Sequence, residues 1–258
     1  MTLELDGKIA LVTGGSRGLG RELACAFAHA GADVVIASRR LDACESLADE
    51  IRRTTGRRAL PIACHVGRWS EIDHLVDMVY AEWGRVDVLI NNAGMSPLFD
   101  GLTSVTEELF DKVIAVNLRG PFRLTALVGD RMVAGDGGAI VNISSVASIR
   151  PQAHDLPYAA AKAGLNTLTI GFAQALGPKV RVNGVLAGPF LTDVSKAWDV
   201  ARFEAHAAAH FPLARLGQPP EIVGPVLMLV SNAGSFTTGA LLTVDGGAAG
   251  ASSFPEGT

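Results

Sequence analysis

Ile9-Ala10-Leu11-Val12-Thr13-Gly14-Gly15-Ser16-Arg17-Gly18-Leu19-Gly20 starts as a short apolar run, passes through a glycine-rich turn and enters a segment with helical periodicity. An apolar run of this length, closed by glycines, suits a buried strand. The glycines permit a tight turn and close approach by another backbone. The same alternation continues outward along the chain. Strands are expected near residues 9–12, 34–37, 60–64, 86–90, 139–143, 180–185 and 242–244. Helices are expected at 19–29, 41–53, 71–83, 107–132, 158–176 and 220–231, the last opened by prolines that suit a first helical turn. Repeated strand–helix–strand units predict an α/β fold of the doubly wound (Rossmann) type. Its parallel seven-stranded sheet carries helices on both faces and binds ligands at the carboxyl ends of the strands, at the switch point. One long interruption, roughly 189–218, falls between the sixth strand and the last helix, where a lid over a ligand is expected.

At 258 residues, 48% hydrophobic and with 29 glycines, the chain suits one domain over 1–258 built on one large core. A net charge of −4 without any basic tract argues against nucleic acid or an anionic membrane as a partner. Residues 1–7 carry two acids and lead straight into a strand, so neither a signal peptide nor a membrane span is expected and the location expected by default is cytoplasmic. Cys25, Cys44 and Cys64 are odd in number, widely spaced and in no CxxC pair, which fits reduced core thiols and not a disulfide frame or a zinc site.

Tyr158 and Lys162 stand four apart in the alanine-rich run Tyr158-Ala159-Ala160-Ala161-Lys162, so in a helix both project from one face about a turn apart. An ammonium beside a phenol lowers the phenol's pKa and makes it a usable acid or base. Ser145 lies thirteen residues upstream of Tyr158, Asn117 lies in a segment otherwise patterned as helix, and Asn91-Asn92-Ala93-Gly94 ends the fourth strand.

With the glycine turn, these motifs resemble in order and spacing the short-chain dehydrogenase/reductase family. The likeness runs from the first strand to Val244-Asp245-Gly246-Gly247. It implies hydride transfer between a nicotinamide and a carbonyl or secondary alcohol, with Asn117, Ser145, Tyr158 and Lys162 as the catalytic set. Ser145 polarises the oxygen, Tyr158 exchanges its proton, Lys162 tunes the phenol and holds the nicotinamide ribose, and Asn117 helps hold a relay water. Ser144 is a rival to Ser145, better suited to bonding backbone at the strand end, and Asn117 also reads as a local kink filler. The resemblance further implies a homotetramer or homodimer packed through the helices that carry Asn117 and Tyr158.

Gly14 and Gly18 allow a pyrophosphate close to the backbone of the turn formed with Ser16, Arg17 and Leu19, and Gly20 allows close helix packing. At the end of the second strand, where a free ribose 2′-hydroxyl calls for an acid, the chain has Ser38 and Arg39. With Arg17 these predict NADP(H), because a guanidinium fork matches a 2′-phosphate. Arg40 suits an exposed position. His65, followed by Val66, departs from the family's Asp at the adenine: its imidazole can bond or stack on the base, or be an ordinary loop histidine. Asn91, Ala93 and Gly94 are expected along the adenosine side. Gly188 and Phe190 are expected at the nicotinamide ring and Thr192 at its carboxamide, although Ala187 stands where the family usually has proline.

Ser96, Pro97, Leu98, Ala147, His154, Phe190, Trp198 and Phe203 are expected to line a mostly apolar pocket suited to a neutral ketone or secondary alcohol. Sugars or polyols, hydroxysteroids and 3-oxoacyl groups remain open as substrates. Acyl groups on carrier protein are disfavoured, since Val133-Ala134-Gly135-Asp136-Gly137-Gly138 offers no basic dock for an acidic partner. His206 and His210 are four apart in the lid but lack a third ligand, so no metal is expected. The reading from another class is a catalytically silent protein that senses NADP(H) and regulates a partner. A sensor has no need of Tyr158 and Lys162 at this spacing.

Overall fold

The computed structural model describes residues 3–192 and 199–250; Trp198, expected at the substrate, lies outside the described residues. Strands and helices alternate as β1 (Ile9–Thr13), α1 (Gly18–His29), β2 (Asp33–Ser38), α2 (Leu41–Thr55), β3 (Ala59–Ala63), α3 (Trp69–Trp83) and β4 (Val88–Asn91). The chain continues through α4 (Glu107–Ile114), α5 (Gly120–Ala134), β5 (Gly138–Ser145), α6 (Leu156–Leu176), β6 (Val180–Ala187), α7 (Val200–His210), α8 (Val223–Val230) and β7 (Leu241–Val244). All seven strands pair in parallel in the order β3-β2-β1-β4-β5-β6-β7. This is the expected doubly wound sheet, and its winding reverses between β1 and β4, where a crevice opens at the strands' carboxyl ends.

Burial on both faces explains why the strands read as apolar runs and not as alternating ones. Ala10, Val12, Val34 and Ile36 join Leu23, Phe27 and Val226 in one core. Their neighbours Ile9, Leu11, Val35 and Ala37 join Ile72, Leu75, Leu124 and Val128 in the other.

Two stretches differ from the expected pattern. The helix expected over 107–132 is broken by a π-helical turn, Ala115–Arg119, between α4 and α5. Gly120 sits so close to the Val66 carbonyl that a Cβ there would lie 2.2 Å from its oxygen, and Asn117 is held within the wider turn. The expected lid contains a helix, α7, started by the Asp199 carboxylate accepting from Arg202 N at 3.1 Å. Phe203 and Ala207 of α7, with Phe211 just beyond it, pack on Leu216 and Ala248, a small core of their own apart from the two main ones.

Candidate active site

The turn after β1 is shaped by backbone crowding. A Cβ on Gly20 would lie 2.3 Å from the Gly14 carbonyl oxygen, and one on Gly14, whose φ is +62°, would lie 2.9 Å from the Ala93 Cα. No side chain fits at either place, so the turn packs directly on the chain leaving β4. Asn92 holds the two together. Its Nδ2 donates to the carbonyls of Thr13 at 2.9 Å and Gly14 at 3.2 Å, while the Thr13 hydroxyl accepts from Asn92 N and Ala93 N and donates to Ile90 O. Thr13 and Asn92 were not among the expected site residues. Their signal was a polar residue at the last position of an apolar strand, facing the doubled asparagine. Gly18 has φ +53° and faces Thr192, whose side chain would be 3.6 Å from an added Cβ, so the chain after β6 passes beside the turn.

At the end of β2 the Ser38 hydroxyl lies 2.8 Å from that of Ser16, joining the strand end to the glycine turn. Arg17 and Arg39 are exposed and make no ion pair or side-chain hydrogen bond among the described residues, whereas Arg40 is clamped by Asp42 and Arg21 by Glu50. The glycine turn and the end of β2 thus each carry an exposed arginine without an ion pair among the described residues. His65 is half-buried. Its Nδ1 accepts from Gly67 N at 3.1 Å, which assigns the proton of the neutral ring to Nε2. Val66 is buried in the core.

Asn91 faces away from the crevice. Its Nδ2 donates to Asn142 Oδ1 at 2.8 Å and Thr125 Oγ1 at 2.9 Å; Asn142 Nδ2 donates to Thr169 Oγ1, and that hydroxyl donates to Leu165 O. This buried ladder ties β4 and β5 to α5 and α6, and its members satisfy one another, as polar groups at this depth must. Ala93 and Gly94 are what the fourth strand offers to the crevice, and Gly94 lies over Asn117 Oδ1 and Lys162 Nζ.

The four residues expected to act together converge below that point. Asn117, fully buried, donates from Nδ2 to Met95 O at 2.8 Å and Val113 O at 2.9 Å and accepts from Met95 N, so it both fills the π-turn and fixes the loop after β4. These contacts are those of the kink filler. Ser144 donates to the Lys162 carbonyl, which removes it as a rival. Ser145 Oγ accepts from Ala147 N at 3.2 Å, leaving its proton to donate outward toward Tyr158. Lys162 Nζ lies 5.7 Å from the Tyr158 ring centre and donates to Ile143 O at 2.7 Å. Burial raises the Tyr158 phenol above its ordinary pKa while the Ser145 hydroxyl pulls it down, and burial lowers Lys162 to about 8. The expected acidification of the phenol by Lys162 is not met in this arrangement. Desolvation is the larger effect, and the ammonium is turned to the β5 backbone.

Beside Tyr158, Pro97, Phe99, Leu109, Val113, Pro157 and Asp155 close on one another around a gap too narrow to admit a water molecule. Only Pro97 was anticipated among these. Asp155 was missed although it stands one helical turn before Tyr158. Ser96 and Leu98 are exposed, His154 is half-buried, and Ala147 is buried beside Ser145. Phe190 is buried against Gly217, and Gly188 lies where a Cβ would come 2.5 Å from that of Asp245, so both shape the turn after β6 by packing. The His206 and His210 rings stack at 4.2 Å, and among the described residues no three metal-ligating side chains come together.

A crevice at a doubly wound switch point, glycine-walled and floored by Ser, Tyr and Lys, defines a dinucleotide-dependent oxidoreductase class. A family model described as enoyl-(acyl carrier protein) reductase matches residues 14–249. The 7alpha-hydroxysteroid dehydrogenase of Escherichia coli (strain K12) is 36% identical over 253 residues, covering 95% of each chain. The L-rhamnose 1-dehydrogenase (NAD(P)(+)) of Sphingomonas sp. (strain SKA58) is 36% identical over 248 residues, covering 94% of this chain and 96% of that protein. The solved L-sorbose reductase from Gluconobacter frateurii, complexed with NADPH and L-sorbose, superposes with a TM-score of 0.89 at 27% identity over 96% of this chain and 98% of that one. A solved 7 alpha-hydroxysteroid dehydrogenase complexed with NADH and 7-oxo glycochenodeoxycholic acid gives 0.89 at 37% over 95% of each. The chain belongs to the short-chain dehydrogenase/reductase family, whose members are oxidoreductases of carbonyls and alcohols that use nicotinamide cofactors. No helix among the described residues is long and apolar enough to cross a membrane.

Proposed function

We propose that this protein is an NADP(H)-dependent ketone reductase or alcohol dehydrogenase acting on a neutral, medium-sized substrate. The observation that carries this reading is the convergence of Ser145, Tyr158 and buried Lys162 at the carboxyl end of β5, opposite the glycine turn. Glycines 14 and 20 let the turn pack tightly on backbone, which suits a dinucleotide bound by main-chain amides, and Ser16, Ser38, Arg17 and Arg39 suit a 2′-phosphate at the end of β2. When bound there, the nicotinamide supplies or accepts the hydride. The Ser145 hydroxyl donates to the carbonyl oxygen and Tyr158 passes its proton to that oxygen in reduction or withdraws it in oxidation. Lys162 holds positive charge below the phenol and, released from Ile143 O, reaches the ribose. Asn117 keeps the Met95 backbone clear of the site and holds the relay water. The phenol, raised by burial, stays protonated at neutral pH, and Lys162, though lowered to about 8, still carries its charge there, which suits a proton donor.

Residues 189–218 serve as a lid over the substrate, with α7 packed on its own small core as the moving body. The protein works in the cytoplasm as a homotetramer. The apolar groove of Ile114, Leu118, Phe122 and Leu168 between the α4–α5 segment and α6 supports pairing through those helices. Titration of the purified protein with NADPH and NADH, followed by a panel of sugar, steroid, aliphatic and aryl ketones read at 340 nm, tests the reading. Tighter NADPH binding and turnover of one ketone class are expected. Binding without turnover across the panel would replace an enzyme with a nucleotide sensor, and stronger NADH binding would refute the part given to Arg39.

A further inference from the structure

One face of α6 carries Tyr158, Lys162, Asn166 and Thr169, three and four residues apart. Tyr158 and Lys162 belong to the site and Thr169 to the ladder beneath it, whereas Asn166 belongs to neither. It is only 8% exposed, and its Nδ2 donates to Ser148 Oγ at 2.8 Å. Ser148 closes the short 3-10 turn Val146–Ser148 and in its turn donates to Ser145 O at 2.5 Å. A hydroxyl has one proton. Because that of Ser148 goes to Ser145, the atom of Asn166 facing it must be the amide donor, which fixes the orientation of the side chain. Asn166 Oδ1 is thereby left in the interior with no partner among the described residues. A buried acceptor without a donor is a cost to the fold that an apolar residue of similar size would not carry. What the side chain supplies against that cost is a single hydrogen bond, aimed at the turn that follows Ser145.

That turn closes on Ser145 twice. The Ser145 hydroxyl accepts from Ala147 N at 3.2 Å, which directs its own proton outward, and the Ser145 carbonyl accepts from Ser148. We propose that Asn166 is a positioning residue for Ser145: by donating to Ser148 it keeps the Ser148 proton on the Ser145 carbonyl, and so holds both the turn and the outward direction of the Ser145 hydroxyl. The effect on turnover rests on the oxidoreductase reading; the effect on the turn does not.

The test compares Asn166→Leu, Ser148→Ala and the double variant with the wild type, using NADPH and the ketone best turned over. Asn166→Leu should lower kcat about 10- to 100-fold, the loss expected when a group at the reacting centre is misplaced by a fraction of an ångström to one ångström. The KM for ketone and the affinity for NADPH should stay within about threefold, and the transition temperature should hold or rise because the unpartnered acceptor is gone. A residue that serves only packing would do the opposite, lowering the transition temperature with kcat nearly intact. Ser148→Ala should lose kcat to a similar degree and the double variant no more than the worse single one, since both act through one chain of hydrogen bonds. Losses that multiply in the double variant, or a kcat within threefold in Asn166→Leu, overturn the assignment, as does a lower transition temperature with KM and nucleotide affinity impaired alongside kcat. Amide hydrogen exchange over residues 145–150 reads the turn without turnover: the Ala147 amide should exchange at least tenfold faster in Asn166→Leu. Faster exchange there in a protein that reduces no ketone upholds Asn166 and refutes the oxidoreductase reading. Unchanged exchange in Asn166→Leu beside an active wild type refutes Asn166 and leaves the oxidoreductase reading standing.

Discussion

The crevice has two sides built by opposite means. The β1–β4 side, around Gly14, Gly20 and Ala93, is made almost wholly of backbone. Close approach leaves no room for side chains, and Asn92 and Thr13 lock the turn through main-chain carbonyls and amides. The β5–α6 side is made of side chains: Ser145, Tyr158 and Lys162 project from a strand end and a helix that a buried Asn91–Asn142–Thr169 ladder holds in register. A backbone site tolerates little change but recognises what family members share. A side-chain site can be altered one group at a time, so that is where chemistry and selectivity can diverge.

Four substitutions sharpen or break this contrast. Tyr158→Phe should lower kcat about 100- to 10,000-fold with cofactor binding by titration nearly unchanged, because it removes the proton donor and no backbone contact. Near-full turnover would sink the assignment. Gly20→Ala should do the reverse. Its methyl would meet the Gly14 carbonyl, so the transition temperature should fall by the equivalent of about 1–3 kcal/mol and nucleotide affinity should collapse along with activity.

Lys162→Met tests what the side-chain half costs in stability. Lys162 is buried and has its pKa lowered from 10.5 to about 8, so between pH 8 and 10.5 the unfolded chain binds more protons and wild-type stability rises with pH. Below pH 8 the penalty is constant and complete. The methionine variant should therefore be inactive yet more stable at pH 7 by on the order of 2 kcal/mol, with the advantage fading by pH 10.5 in denaturant titrations at stepped pH. A variant less stable at pH 7 would show that the Ile143 hydrogen bond outweighs burial of the ammonium. The smallest effect is expected from Arg39→Ala, about tenfold weaker NADPH binding with NADH unchanged, since the guanidinium is exposed and screened by salt. An equal loss for both nucleotides would move Arg39 from the 2′-phosphate to the general field of the crevice.

Much of the backbone side was legible in the chain. The strand–glycine–helix run Ile9–Gly20 and the Asn91–Gly94 turn each carry local signals, since conformational freedom and small size are properties of single residues. The spacing of Tyr158 and Lys162 was legible for the same reason, being helix geometry. The direction of Asn91 was not, nor the break at Ala115–Arg119, the helix Val200–His210 or the place of Asp155 beside Tyr158. Each depends on what lies opposite: Asn142 beneath Asn91, the Val66 carbonyl against Gly120, Leu216 and Ala248 under α7, and Phe99 and Leu109 across from Asp155.

The amino-acid sequence by itself determined the order of strands and helices, the glycine turn and the one-turn separation of phenol and ammonium, because periodicity and backbone freedom act over a few neighbouring residues. Only the tertiary structure decided which polar groups are buried, which are paired and what their pKa values become. Ser144 is tied to backbone and Ser145 is free to donate, Arg40 is clamped and Arg39 is open, and Lys162 is lowered to about 8. Solvation and hydrogen-bond partners come from elements far apart in the chain, and it is folding that brings them together.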